Sequence, residues 1–384
     1  MKRIFLLGIL VVTGVSGCDW IKSPSSDNLQ PPTELTEFAS KVNLTKLWTS
    51  SVGEGEGTAG LRLRPAFEGG KIYASDASGS VAAFAADTGK QVWRVQLDQA
   101  ASSGPSVRDG LLAVAGIDGA VVALDAGSGQ QRWRALVSSE VLAAPAIGDG
   151  IVVVRAQDGR VFGFDANDGA RKWVFDRSVP LLSLRGNSPP LINDGVVYVA
   201  FDGGKIAALT LANGALRWEQ TLAVSEGRTE LERMVDIDGE LSLSGDEIFV
   251  VSYRGKVGAL LADSGRVRWS RDLSAYGGVS SSGDRLYVAD ADGTVQALDA
   301  RGGASLWKQD GLKHRWLGTP VAVGDYVVVG DFEGYLHVLS AEDGSFAART
   351  RLGDEGLRTT PLVVGNAVYA TSADGSLGAW RVGG

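Results

Sequence analysis

The chain has 384 residues, of which 44% are apolar and 52 are glycine, and its formal net charge is −8. That acidity excludes a surface built to neutralise phosphates, since nucleic-acid binders gain most of their affinity from Lys and Arg. The glycines, with Val, Leu and Ala in short runs, point to an all-β chain with many tight turns and enough apolar surface for a sizeable core.

Met1, Lys2 and Arg3 precede an apolar run from Ile4 to Val12, followed by Val15-Ser16-Gly17-Cys18. A charged start, a short hydrophobic stretch and small residues before a cut make residues 1–17 a secretion signal. The run is too short for ~30 Å of hydrocarbon, and no later segment approaches the ~20 apolar residues of a spanning helix. The residues before the cut resemble the lipobox of bacterial lipoproteins, which implies that Cys18 takes the lipid and becomes the mature N-terminus. Several acyl chains anchor stably where one is marginal, each buried CH₂ contributing ~0.8 kcal/mol. Cys18 is the sole cysteine, so stability must come from packing and closure of the fold. Residues 18–43, with Ser23, Pro24, Ser25, Ser26, Pro31 and Pro32, read as the lipidated N-terminus and a flexible tether, with one helical turn near Glu34 to Phe38.

From residue 44 to 384 one unit recurs: apolar strand, Gly-Asp-type turn, apolar strand, Asp-Gly turn, then Ala-Leu-Asp-Ala-x-x-Gly-x-x-x-Trp. The clearest copy runs from Pro105 to Trp133. Its glycine recurs at Gly89, Gly129, Gly169, Gly214, Gly265, Gly303 and Gly344, each followed four residues later by Trp except the last, which has Ala348. Unit starts at Pro65, Pro105, Pro145, Pro190, Leu241, Val279, Pro320 and Pro361 are 40, 40, 45, 51, 38, 41 and 41 residues apart. Eight units with room for four short strands each predict an eight-bladed β-propeller. After Ala379-Trp380-Arg381-Val382 the chain lacks a fourth strand for its last unit, and Val42 to Trp48 has the character to supply it. Pairing of that N-terminal strand with the last blade closes the ring and removes an aggregation-prone edge. The Trp series is expected to dock each blade on its neighbour, and the glycines of the Asp-Gly turns to supply positive φ.

Little in the chain suggests catalysis. His314 and His337 are its two histidines, and without a second Cys they build no familiar zinc or Cys-His arrangement. His337, in an apolar strand, reads as a packed side chain. The many Asp residues fall in turns at blade spacing, where capping accounts for them. No catalytic or metal-binding residue is therefore assigned.

The longest spacings place extra residues after Trp173 and Trp218, in neighbouring connections between blades. In a four-stranded blade such connections lie on the same face as the Asp-Gly turns, so both long loops should project side by side. The first offers Leu181, Leu182, Leu184 and Arg185, and the second Glu230, Glu232, Arg233, Asp236 and Asp238. Apolar anchors beside mixed charge suit a recognition patch. The bland alternative is that the leucines pack on their own blade and the charges are solvated.

The Ala-x-Asp-x-x-x-Gly-x-x-x-Trp segment resembles the repeat of the pyrroloquinoline quinone propellers, over roughly residues 44–382. Two families share it. Quinoprotein alcohol and glucose dehydrogenases hold the quinone and calcium in such a ring, but they are generally longer, and the alcohol enzymes carry a vicinal cysteine pair absent here. The chain more closely resembles the BamB family, lipoprotein subunits of the machinery that folds β-barrels into the bacterial outer membrane. The stretches Leu182-Ser183-Leu184-Arg185-Gly186, Thr229-Glu230-Leu231-Glu232-Arg233 with Asp236 and Asp238, and Gly330-Asp331-Phe332-Glu333-Gly334-Tyr335-Leu336-His337 carry that resemblance.

The resemblance implies a non-catalytic scaffold without a cofactor. It also implies binding to the periplasmic POTRA domains of BamA, and through BamA to the other lipoproteins of the complex. Leu182, Leu184, Arg185, Asp236 and Asp238 are carried over as BamA-contacting positions. Nascent outer-membrane strands are a further expected partner, pairing along exposed outer strands. Location at the outer membrane facing the periplasm follows, although Asp19 after the lipidated Cys resembles an inner-membrane retention signal of enteric bacteria. A membrane-anchored quinone-dependent dehydrogenase is the alternative reading.

Overall fold

In a computed structural model, residues 30–56, 60–178, 186, 188–224, 229 and 234–383 are described. The secretion signal, Cys18 and Asp19 lie outside them. Every regular element among the described residues is a strand, and the strands form eight four-stranded antiparallel sheets. The sheets are the blades of an eight-bladed β-propeller. Blades one to seven run in chain order from Ala66–Glu68, Ser106–Arg108, Ala146–Gly148, Leu191–Asn193, Ser242–Ser244, Ser280–Ser282 and Val321–Val323 as inner strands.

Blade three shows how composition makes the layers. Its second strand, Ile151–Arg155, is buried throughout, and its third, Val161–Asp165, is buried except at its last residue. Both faces of these strands meet neighbouring blades, which explains continuous apolar runs in place of strict alternation. The outer strand Arg171–Phe175 alternates, exposing Arg171, Lys172 and Val174 while burying Trp173. A bulge interrupts the pairing of third and fourth strands at the same place in each of the first seven blades, as between Ala123 and Leu124. Such a bulge bends the outer strand and re-aims its Trp.

Those tryptophans join the blades. The indole N–H of Trp93 donates to the Ala126 carbonyl at 3.0 Å, Trp133 to Ala166 at 2.9 Å and Trp173 to Leu211 at 2.8 Å, each in the following blade. Trp218, Trp269 and Trp307 repeat the bond to Ala262, Ala300 and Ala341. The ring of each lies over the repeat glycine of that same following blade. Gly129 has φ +76°, and a Cβ on it would stand 2.7 Å from the Trp93 ring. Repeat Gly and repeat Trp are thus partners across a seam and not within one unit.

Closure occurs as the missing strand predicts. Leu44–Ser51 pairs antiparallel with Ser376–Val382, in register from Leu44 opposite Val382 to Ser51 opposite Ser376. Trp48 then supplies the eighth blade's docking ring, bonding to the Ala86 carbonyl at 3.0 Å above Gly89 of blade one.

The Trp missing at Ala348 now has a cause. Blade seven faces the junction of Val382 with Leu44, where two chain ends meet and no turn offers a repeat glycine. Phe38 stacks there on Phe346, with ring centroids 5.3 Å apart, and Lys41 N–H donates to the Ala347 carbonyl at 2.7 Å. Residues 33–42, which the sequence assigns to the tether, are therefore seated on blades six and seven. They contain no helical turn, in contrast to the expectation near Glu34 to Phe38, because their backbone groups bond to the propeller instead of to one another.

Candidate partner-binding face

Connections between blades pack over the Asp-Gly turns, as the four-stranded geometry requires. Leu97 N–H donates to Gly79 and Val137 N–H to Gly119, each time from the connection that leaves a blade to the turn within it. The two enlarged connections follow this pattern at their described ends. Gly186 accepts a 2.6 Å bond from Gln157 in the turn of blade three, and Asp236 Oδ1 accepts a 2.9 Å bond from the N–H of Gly203 in the turn of blade four. Both connections are therefore rooted on one face and over adjacent blades. Leu181, Leu182, Leu184, Arg185, Glu230, Glu232 and Arg233 lie outside the described residues. Val224, at the start of the second connection, is 71% exposed.

Asp236 and Asp238 sit at the root of the second connection, 1% and 8% exposed. Asp236 holds the loop from beneath with its side chain and its backbone: its carbonyl accepts from Tyr253 N–H at 2.8 Å in the turn of blade five. Beside them Arg155 of blade three and Asp202 of blade four form a buried ion pair at 2.9 Å. Gly186 passes so close that a Cβ there would meet the Asp238 carboxylate, so the first connection is laid directly over the root of the second. Burial, reinforced by Asp236 and Asp202, raises the Asp238 pKa to about 7. Its Oδ1 has no hydrogen-bond partner among the described residues.

The same face closes the mouth of the central channel, a feature not anticipated from sequence. Leu61 and Leu63 bury against Leu142, while Arg62 and Arg64 between them reach across the ring. Arg62 donates to the Tyr276 carbonyl at 2.9 Å and Arg64 pairs with Glu240 at 2.8 Å. Below lies a cavity of about 390 Å³ lined by Pro65, Pro105, Pro145 and Pro190 together with Arg62, Arg64, Asp238 and Glu240. Glu56, beside this mouth, is raised to about 7 by burial, opposed by Arg358 and Arg62. The sequence carried a signal for this group, because Leu-Arg-Leu-Arg before Pro65 has no counterpart in the other units. Arg155 likewise ends its strand where most units place a small residue.

Of the histidines, His337 is a buried packing residue. Arg349 Nε donates to its Nδ1 at 3.1 Å, so the ring proton sits on Nε2 and is donated to Asp331 at 2.9 Å. An arginine N–H only donates, which fixes this tautomer and a neutral ring. Among the described residues no group of three or more His, Cys, Asp or Glu converges as a metal site would.

The family model described as "Outer membrane protein assembly factor BamB" matches residues 42–110, 77–309 and 291–381. The chain is 43% identical to the Pseudomonas aeruginosa protein of that name over 381 residues, covering 99% of both chains. It is 41% identical to the Xanthomonas campestris protein of that name, covering 99% of this chain and 98% of the relative. The crystal structure of BamB from Moraxella catarrhalis superposes with a TM-score of 0.82 at 28% identity, over 88% of this chain and all of that one. A europium-containing methanol dehydrogenase, at 14% identity and TM-score 0.71, covering 88% of this chain and 86% of that one, shares the fold alone.

Proposed function

The chain belongs to the BamB family of outer membrane protein assembly factors, and from that membership we propose that it serves as a non-catalytic scaffold that binds the periplasmic POTRA domains of BamA. The supporting observation is the pair of enlarged connections rooted side by side on one face, with the base of one laid over the buried carboxylates of the other. Such roots hold a contact surface in place before binding, which reduces the ordering cost of association.

In this reading Leu182, Leu184 and Arg185 make the contact, as apolar anchors flanked by a bidentate donor. Asp236 and Asp238 act from below, by fixing the loop that carries Glu230, Glu232 and Arg233. Cys18 carries the lipid that keeps the scaffold at the outer membrane, facing the periplasm. Quinone-dependent dehydrogenation, the alternative, draws on likeness of fold alone.

Pull-down of BamA by a Leu182→Ala, Arg185→Ala double variant tests the proposal. Truncating one anchor costs ≥ 2 kcal/mol, roughly thirty-fold in affinity, so the double variant should fail to recover BamA. Undiminished recovery by a folded variant would move the contact elsewhere.

A further inference from the structure

Residues 33–42 do more than fill a seam. Leu44 pairs with Val382 at one end of the eighth blade, and the strand runs from there to Ser51, beyond which Val52 N–H bonds to Gly375 in the Asp-Gly turn of the loop face. Leu44 is therefore at the opposite face. Chain leaving directly from Leu44 would depart on the side away from the candidate contact loops.

The preceding residues reverse this. Lys41 bonds to the Ala347 carbonyl at 2.7 Å and to Ser345 Oγ at 3.1 Å, at the start of blade seven's outer strand Phe346–Arg351. Phe38 stacks on Phe346, with the Arg349 guanidinium 5.0 Å from its ring centroid, and Arg349 donates to the Thr36 carbonyl at 3.2 Å. Leu35 packs among Leu312, Leu317 and Trp307 of blade six and its connection. Finally Thr33 N–H donates to the Lys313 carbonyl at 3.0 Å, and Arg315 donates back to Thr33 at 3.1 Å. Arg315 is itself fixed by Asp331 at 2.8 Å and by Glu333, both in the turn of blade seven on the loop face. Ten residues thus climb the full height of the blade, held at both ends and in the middle.

We propose that this segment is a strap that transfers the departure point of the anchored N-terminus from the back of the disc to the loop face, so that the contact loops are presented toward the bilayer. The inference rests on the reading of Cys18 as the lipid anchor. Residues 19–32 can span at most ~50 Å, but a coil of that length averages about 20 Å end to end, close to the distance between the faces, so the departure face biases which side of the disc the membrane meets. The partner surface that fits this orientation belongs to a membrane-proximal domain, not to one approaching from the cell interior.

The test uses the full lipidated chain on vesicles containing acceptor-labelled lipid, with a donor dye on Asp292→Cys or Asp284→Cys. Both positions are in blade six, the first in its Asp-Gly turn and the second at the opposite face. The faces are ~20 Å apart along the strands, so transfer from position 292 should exceed that from 284 by roughly twofold. Replacing residues 33–42 with Gly/Ser of equal length leaves every blade residue intact and should abolish or invert the difference. Equal transfer from both positions in the intact chain, or a difference that survives the replacement, would overturn the proposal. Hydrogen exchange of the same chain in solution reads the strap without the membrane: slow amides at Thr33 and Lys41 support it, and unprotected ones refute it. A chain that fails to sediment with vesicles would count against the Cys18 anchor alone.

Discussion

At the level of single residues, the repeat is a two-part joint. A Trp projects from one blade, and a glycine with positive φ on the next leaves room for its ring. Both parts were visible in the sequence as a Gly-x-x-x-Trp spacing, but that spacing hid the partnership, because the residues four apart face different neighbours. Trp133, 6% exposed, should cost ~3–5 kcal/mol when truncated to Ala. Gly129→Ala should destabilise by ~1–3 kcal/mol through overpacking and left-handed strain. Urea unfolding of the two variants checks both, and a Gly129→Ala protein as stable as the parent would contradict the joint.

Asp238 carries a second residue-scale prediction. Its pKa, about 7 in the folded chain against 3.8 for an unperturbed Asp, means that the folded state prefers the neutral acid. The stability this gives is complete below pH ~4 and is lost as pH rises to ~7 and above. Asp238→Asn removes the titration, so the variant should gain on the parent between pH 5 and pH 8, by roughly 3 kcal/mol over that range. Melting temperatures recorded across that range decide it: a gap between the proteins that does not widen with pH would show that Asp238 is charged at little cost.

Strands, turns and loops differ in how much of them the sequence displays. Apolar runs punctuated by turn residues exposed the four strands of each unit, and a missing final strand pointed to Val42–Trp48; the observed strand is Leu44–Ser51. Deleting residues 42–50 strips the eighth blade of its outer strand and of Trp48, and should lower the melting temperature sharply while promoting aggregation through the exposed edge of Ser376–Val382. A truncated protein that melts with the parent would refute closure by this strand. The strap was not legible, since Pro31 and Pro32 just before it, its mixture of polar and apolar residues and the lack of a repeat read as linker. Its only trace was Ala348 standing where Trp belongs. The charged group at the channel mouth left a trace in Leu61-Arg62-Leu63-Arg64, but its pairing was hidden, because Arg64 and Glu240 come together only once the ring closes.

For the whole molecule, ring closure turns sequence neighbours into a face. Two connections lengthened in consecutive units become neighbours at their roots, which share one buried cluster of Arg155, Asp202, Asp236 and Asp238. The sequence indicated which connections were enlarged and that they shared a face. It did not indicate that the two aspartates lie beneath the surface, since burial at a loop root leaves no periodic mark. Under the proposed function the face is divided between buried residues that hold and the residues of the two connections that touch the partner.

Photo-cross-linking in cells expressing BamA tests that division most directly, with a photoreactive residue placed at Val224 on the loop face or at Asp194 on the opposite face of the same blade. Adducts with BamA from position 224 and none from 194 are the predicted result. Adducts from 194, with none from 224, would contradict the assignment of the loop face as the partner-binding surface.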